Sequence, residues 1–491
     1  MTPTKHIVEQ ALRLVIDPEV GINIFDLGLV YAIDFSDARV DVRMTMTTRA
    51  CPLGSLLTAN AEAAIRAALP NLEQVDVALV WEPPWTPQRM SDAARQQLTA
   101  GTTRKQPRRV VDQRPPAKGV HGPLWRRLPL LLMAGIGLIT GLVAGLLRLG
   151  FAIPIGSPLV AADHGALMVA GFLGTLIGLE RAVALSRLWG FIAPILTGVG
   201  TLLLLAGAPA EFAKPVVTIG SWLLTAVSLQ IIWQQRALFT ATMAAGALAL
   251  AVGCTLWTLN WPIFRLVWWW VAFLLLTIAG ERLELSRLKP RAKWALPAFT
   301  AALTVFMLGV ATSGIWPHLA NYIIGGGILG IAAWLGANDI ARQTIRRAGL
   351  TRYVAVCLLS GYLWLACCAA WLLYAGPQVA GSGYDGSLHA FFVGFVFSMI
   401  FGHAPIILPA VLRVGVRFTR VFYLPLALLH LSLLIRLLGD FGGSAAMRRW
   451  GGMGNALAIV AFLLSVVISA IRATRTTAQS AHNHPESQTN R

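Results

Sequence analysis

About twelve runs of roughly 20 apolar residues, joined by short polar loops, leave this chain few ways to fold. They lie near 128–148, 159–180, 189–208, 215–234, 238–258, 263–281, 294–313, 318–337, 353–375, 388–412, 421–438 and 453–471. A helix rises about 1.5 Å per residue, so roughly 20 residues cross a hydrocarbon core about 30 Å thick. Lipid offers no hydrogen-bond partner, so each run must satisfy its own backbone as a helix. With 56% hydrophobic and 13% charged residues, the chain is not a soluble globule. The expected fold class is a small α/β domain plus a polytopic all-α membrane bundle of about twelve helices.

The net charge of +18 would suit nucleic acid, but its placement follows the loops instead. Arg181, Arg187, Arg236, Arg282, Arg287, Arg342, Arg346, Arg413, Arg417 and Arg420 collect on one side; Arg148, Lys214, Arg265, Arg436, Arg448 and Arg449 fall on the other. The positive-inside rule then puts both termini in the cytoplasm of an inner-membrane protein, with lipids as partners and no nucleic acid. No secretory signal precedes the first polar stretch, so the head is expected to stay cytosolic. Cys51 falls on that reducing side, and Cys254, Cys357, Cys367 and Cys368 fall in spans, so structural disulfides are not expected.

Four histidines stand inside apolar runs, where an ionisable side chain is a functional-site hypothesis by default. His389 and His403 are 403 − 389 = 14 residues apart. That spacing advances an ideal helix by about 1400°, returning both rings to one face about 21 Å apart. By depth, His164 pairs with His389 near the outer surface and His403 with His430 toward the inner one. Two imidazoles per pair suit bis-histidine haem, with Met168 and Met399 as alternative ligands and an interhelical hydrogen bond as the plainer account. Glu180 and Glu281 each precede an arginine at the inner end of a span. An interfacial ion pair accounts for them; alternatively they join His403 as a proton relay or a site for iron or manganese. The stretches Gly178-Leu179-Glu180-Arg181 and Gly280-Glu281-Arg282, with Gly402-His403 at the matching depth, suggest three units of four helices.

The domains divide as 1–98, an α/β head; 99–127, a basic flexible linker; 128–472, the twelve spans; and 473–491, a polar cytosolic tail. In the head, helical periodicity covers 4–15 and 53–69, and strict alternation marks strands at Val40–Met46 and Val75–Leu79. Cys51 stands just before the second helix, where the helix dipole and Arg49 favour a thiolate; a buried cysteine packing as a small hydrophobe is the alternative.

Asp17-Pro18-Glu19, Asn23, Asp26-Leu27-Gly28-Leu29-Val30, Thr45, Thr47, Cys51-Pro52 and Trp81-Glu82-Pro83-Pro84-Trp85 resemble the PaaD/SufT-type iron–sulfur assembly domain. The resemblance implies cluster maturation or delivery, Cys51 as cluster-transfer thiol, a transient iron–sulfur cluster, and client or scaffold proteins as partners. The span starts His164-Gly165-Ala166-Leu167-Met168 and Leu388-His389-Ala390, each with its Gly-Phe at Gly171-Phe172 and Gly394-Phe395, look like the NnrS family. That likeness implies haem b and admits copper, in a setting of nitric oxide and denitrification. Spans six and seven carry no histidine, which argues against terminal oxidase activity. The sequence therefore reads as a haem-binding membrane protein with an iron–sulfur assembly head. A transporter of a metal, sulfur compound or anion, or a membrane-anchored assembly factor, is the alternative.

Overall fold

The computed structural model describes residues 3–36, 38–49, 51, 53–100, 127–154, 161–376, 378–412 and 415–482. The expected linker lies outside the described residues except at its ends.

The head holds helix α1 (Pro3–Leu12), strands β1 (Val30–Ser36) and β2 (Arg39–Met44), helix α2 (Gly54–Ala68), strand β3 (Gln74–Leu79) and helix α3 (Asp92–Ala100). The sheet order is β1-β2-β3, with β1 antiparallel and β3 parallel to β2. Val40, Val42 and Met44 alternate into the core, and α2 covers them with Leu57, Ala61, Ala64 and Ile65. β1 gave no alternating signal because neither of its faces is fully buried. Gly28, in the motif after Asp26, has φ +69, and a Cβ there would overlap the Arg89 carbonyl, so glycine is required.

The rest is an all-helical bundle with twelve helices long and apolar enough to cross a membrane, which makes the chain a multi-pass membrane protein. Those that carry the argument are span 1 (Leu128–Arg148), span 2 (His164–Leu185), span 4 (Ala210–Gln234), span 6 (Ile263–Leu288), span 8 (Pro317–Asn338), span 9 (Gly349–Ala375), span 10 (Ser382–Leu412), span 11 (Arg420–Gly442) and span 12 (Ala445–Ala473). Spans 2, 6 and 10, which carry the repeated motif, are 72%, 72% and 67% buried over their most apolar windows; span 7 (Ala295–Thr312) is 28% buried. The motif-bearing spans thus run through the middle of the bundle. The helix of span 12 continues to His482, into the stretch expected as a polar tail.

Spans 2 and 10 share one irregularity. Each passes from α- into π-helix within three residues of a histidine: His164–Ala166 leads into Leu167–Leu173, and Ser382–His389 into Ala390–Phe397. Such segments gather at functional sites, since the extra residue re-aims side chains and frees backbone groups. The head packs on the opposite end of the bundle, beside the ends of spans 4, 6 and 9.

Candidate functional site

At the end of the bundle far from the head, His164 and His389 face each other across spans 2 and 10. Their ring centroids are 6.4 Å apart and their planes lie 9° from parallel. The Nδ1–H of His164 donates to the Gly141 carbonyl at 2.8 Å, and that of His389 to the Asp385 carbonyl at 2.7 Å. A carbonyl only accepts, so both rings carry their proton on Nδ1 and keep a lone pair on Nε2. A ring oriented through one nitrogen, with the other left free, is prepared for a metal.

Both rings line a cavity of about 510 Å³. Its walls are largely apolar, with Leu142, Leu146, Val169, Phe392 and Val396 among them, and Met168 sits beside His164. Gly145 of span 1 backs His164 so closely that a Cβ there would lie 2.9 Å from Cε1. Arg148, Arg436 and Arg448 line the cavity as well, together with Asp385. Asp385 takes a charged hydrogen bond from Arg436 at 2.7 Å, while the Nε of Arg436 is buried without a partner. Asp385 was missed in the sequence, although it stands four residues before His389, and Arg436 was noted only as a loop charge.

The inner pair is not formed. His403 donates from Nδ1 to the Met399 carbonyl at 2.7 Å, and its Nε2 lies 3.5 Å from Arg282 Nη1 and 3.8 Å from Glu19 of the head. The guanidinium thus occupies the lone pair that an iron would need. His430 accepts from the Trp364 indole at Nδ1, 2.9 Å away, and its Nε2 is buried without a partner among the described residues. Among the described residues no ring contact joins the two. Depth along the membrane was matched, but the two rings turn to different neighbours.

The carboxylates also resolve differently. Glu281 bonds to Arg181, whose Nη2 is 3.7 Å from Glu180, so a cation already stands between the two. Among the described residues no three His, Cys, Asp or Glu side chains converge as a metal site, and the metal reading of Glu180 and Glu281 gives way to an ion-pair cluster. Arg282 pairs with Asp339 at 3.2 Å, both buried, and Tyr362 donates to Asp339 at 3.0 Å.

Cys51 is half-buried, close enough to Glu19 of the head and Glu284 of span 6 for both to act on it. The loop before it is held by the membrane domain. Thr47 donates to Glu284 at 3.0 Å, Thr48 to Gln235 at 2.7 Å, and the Arg49 N–H to Gln235 at 3.0 Å. Arg287 donates to the Thr47 carbonyl at 3.1 Å, and Thr351 to the Pro18 carbonyl at 3.1 Å. Arg49 turns its guanidinium to Glu82 and the Trp81 ring instead of to the thiol. Burial, then Glu19 and Glu284, push the Cys51 thiol well above its ordinary range, the reverse of the expected thiolate.

Comparison with known proteins divides the chain at the same place. Residues 127–471 match a family described as a domain of unknown function (DUF8744), and residues 5–79 match one described as iron–sulfur cluster assembly protein. An Fe-S protein maturation auxiliary factor of Bacillus subtilis, YitW, is 39% identical over 92 residues, 18% of this chain and 89% of that protein. The auxiliary factor SufT of Staphylococcus aureus is 41% identical over 83 residues, 17% of this chain and 93% of its own. A crystal structure of a domain of unknown function, DUF59, from Bacillus anthracis is 32% identical, covering 18% of this chain and 86% of that one, with a TM-score of 0.18.

Proposed function

The chain belongs through residues 127–471 to the DUF8744 family, and its head to the iron–sulfur maturation auxiliary factors; on that premise we propose a haem b-binding membrane protein whose head serves iron–sulfur maturation. The observation that carries the haem half is the far-side histidine pair: two near-parallel imidazoles whose Nδ1 atoms are already engaged, flanking an apolar cavity.

The donor set fits. Two metal–nitrogen bonds of about 2 Å, plus the distance from each ring centre to its own nitrogen, give a centroid separation of about 6 Å. The observed 6.4 Å agrees. The cavity volume falls in the ~300–1,000 Å³ range of cofactor sites. His164 and His389 would hold the haem iron, and Arg436, Arg448 and Arg148 would pair with the carboxylate groups that haem b carries. Haem held by two imidazoles supplies one-electron transfer at a closed centre. The residues do the rest: the Gly141 and Asp385 carbonyls hold the tautomers, Asp385 couples His389 to Arg436, and the apolar walls keep water from the ring faces. One such pair implies one haem rather than the two expected from depth.

The head gives the chain its cytoplasmic face, with clients or scaffold proteins as partners and a transient cluster as cargo, Cys51 being the transfer thiol. The alternating basic loops support an inner-membrane location with both termini in the cytoplasm. The NnrS-like span starts support a setting of metal-centre protection during nitric oxide stress. Met168 beside His164 favours copper as the other metal that this pair could take.

An absorbance spectrum of the purified chain, with metal analysis, tests the reading. A low-spin haem spectrum at about one haem per chain is expected. Copper without a Soret band would replace haem by copper at the same two imidazoles, and neither metal would sink the reading.

A further inference from the structure

The membrane domain does not merely carry the head; it occupies the face around Cys51. Five hydrogen bonds reach that face, from Gln235 at the end of span 4, Glu284 and Arg287 at the end of span 6, and Thr351 at the start of span 9, and Arg347 adds another to Gln97 elsewhere on the head. Their partners, Pro18, Thr47, Thr48 and Arg49, lie in or beside the two segments that resemble the assembly domain's motifs. We propose that this face is a shared docking surface: the membrane domain holds it in the resting chain, and an iron–sulfur client or scaffold reaches Cys51 only by displacing the membrane domain.

The surroundings of Cys51 argue against cluster work in the docked arrangement. A protein cluster normally takes four ligands, so one cysteine needs others close by. The bundle brings Glu284 and Arg287 to this loop instead, and among the described residues no metal-binding group assembles there. The ligands must therefore come from another protein that takes the place of the bundle. The chemistry of the face says what that protein presents: carboxylate or amide acceptors for Thr47, Thr48 and the Arg49 N–H, a cation for the Thr47 carbonyl, and its own cluster thiolates beside them.

N-ethylmaleimide labelling of the purified full-length chain, read residue by residue by mass spectrometry, tests this. Arg287→Glu and Thr351→Arg break the boundary from two separate spans. Each is expected to raise the Cys51 labelling rate about tenfold or more, as loss of one or two charge-assisted or buried hydrogen bonds does. Cys357 and Cys368, both buried, report unfolding if they label too. Should both variants unfold, a lock decides. A Cβ at Gly21 would lie 3.5 Å from the Thr351 Cβ, within disulfide reach, although Gly21 has φ +71 and its replacement is strained. Oxidised Gly21→Cys/Thr351→Cys should label at Cys51 more slowly than wild type and recover on reduction. Equal Cys51 rates in wild type and folded variants, or in the oxidised and reduced lock, overturn the proposal.

Discussion

At the far end of the bundle two imidazoles leave Nε2 without a partner among the described residues, beside an apolar cavity. At the head-side end the imidazole of His403, the carboxylates of Glu281 and Glu284 and the guanidiniums of Arg181 and Arg287 engage one another or the head. The difference separates two uses of buried polarity. Groups with an open valence above an empty apolar volume are built to take a small ligand. Groups that satisfy each other across a boundary are built to hold two protein surfaces together, since a buried charge left alone is costly. Span 10 belongs to both regimes, with His389 in one and His403 in the other.

The largest expected effect falls on the far-end pair. His389→Ala or His164→Ala should abolish haem binding altogether, because one imidazole alone leaves the site half-ligated. His403→Ala and His430→Ala should keep the full haem content. Soret absorbance per chain decides it, and a haem lost with His403 would erase the distinction between the two ends.

The next effect lies on the head side. Arg282 and Asp339 have side chains 2% and 0% exposed, so Arg282→Met strands a buried carboxylate and should cost about 3–5 kcal/mol. Arg66 and Glu62 of the head are 43% and 32% exposed, and Arg66→Met should cost no more than about 1 kcal/mol. Thermal unfolding in detergent compares the two. Similar midpoints would show that the head-side charges hold nothing together.

Gly145→Ala sharpens the other half. The added methyl meets the far edge of the His164 ring, which can swing aside, so the fold should survive while the ring is mis-aimed. Loss of orientation of this kind lowers metal affinity by about 10–100-fold. Haem titration of the apo chain measures it, and unchanged affinity would mean that His164 is not a ligand.

These contrasts show where the sequence was readable. Hydrophobic length alone marked the spans, since nothing else in lipid satisfies a backbone, and span 1 lies at 128–148 as read. Span 2 was placed at 159–180 but is His164–Leu185, because the helix runs on past Glu180 and Arg181, the charged pair at which a hydropathy reading stops. The head's strands showed where one face is buried and the other solvated, as in β2. His164 and His389 came together because each opens a span at one depth. His403 and His430 did not, because depth fixes height along a helix and leaves open which neighbour the ring turns to; here those are Arg282 and Trp364. The Cys51 environment was unreadable for a related reason. Its local sequence promised a thiolate; burial reverses this first, and then Glu19 and Glu284, which come from a distant loop and another domain.

The smallest effect is that of pH on the docked head. Asp17 has its carboxyl raised from 3.8 to about 7, by burial first and by Glu19 second, and burial raises Glu19 as well. The backbone N–H groups of Glu19 and Val20 donate to Asp17 at 2.9 and 3.1 Å and pull the other way, but burial outweighs them. The charges facing these two acids are Glu281 and Arg282 of span 6, His403 of span 10 and Asp339 after span 8; Glu284 and Arg287 face the Cys51 loop beside them. A carboxyl that holds its proton more tightly when docked makes docking take up protons. Docking is then strongest below the ordinary carboxylate range, and weakens as pH rises from about 4 toward 7. The thiol's own titration would obscure this in a single rate, so the measure is Cys51 labelling in wild type divided by that in Thr351→Arg. That ratio should climb several-fold across the window, and Glu19→Gln should flatten part of the climb. A ratio independent of pH would mean that Asp17 and Glu19 are buried by the head's own fold, and that the membrane domain contributes nothing to their protonation.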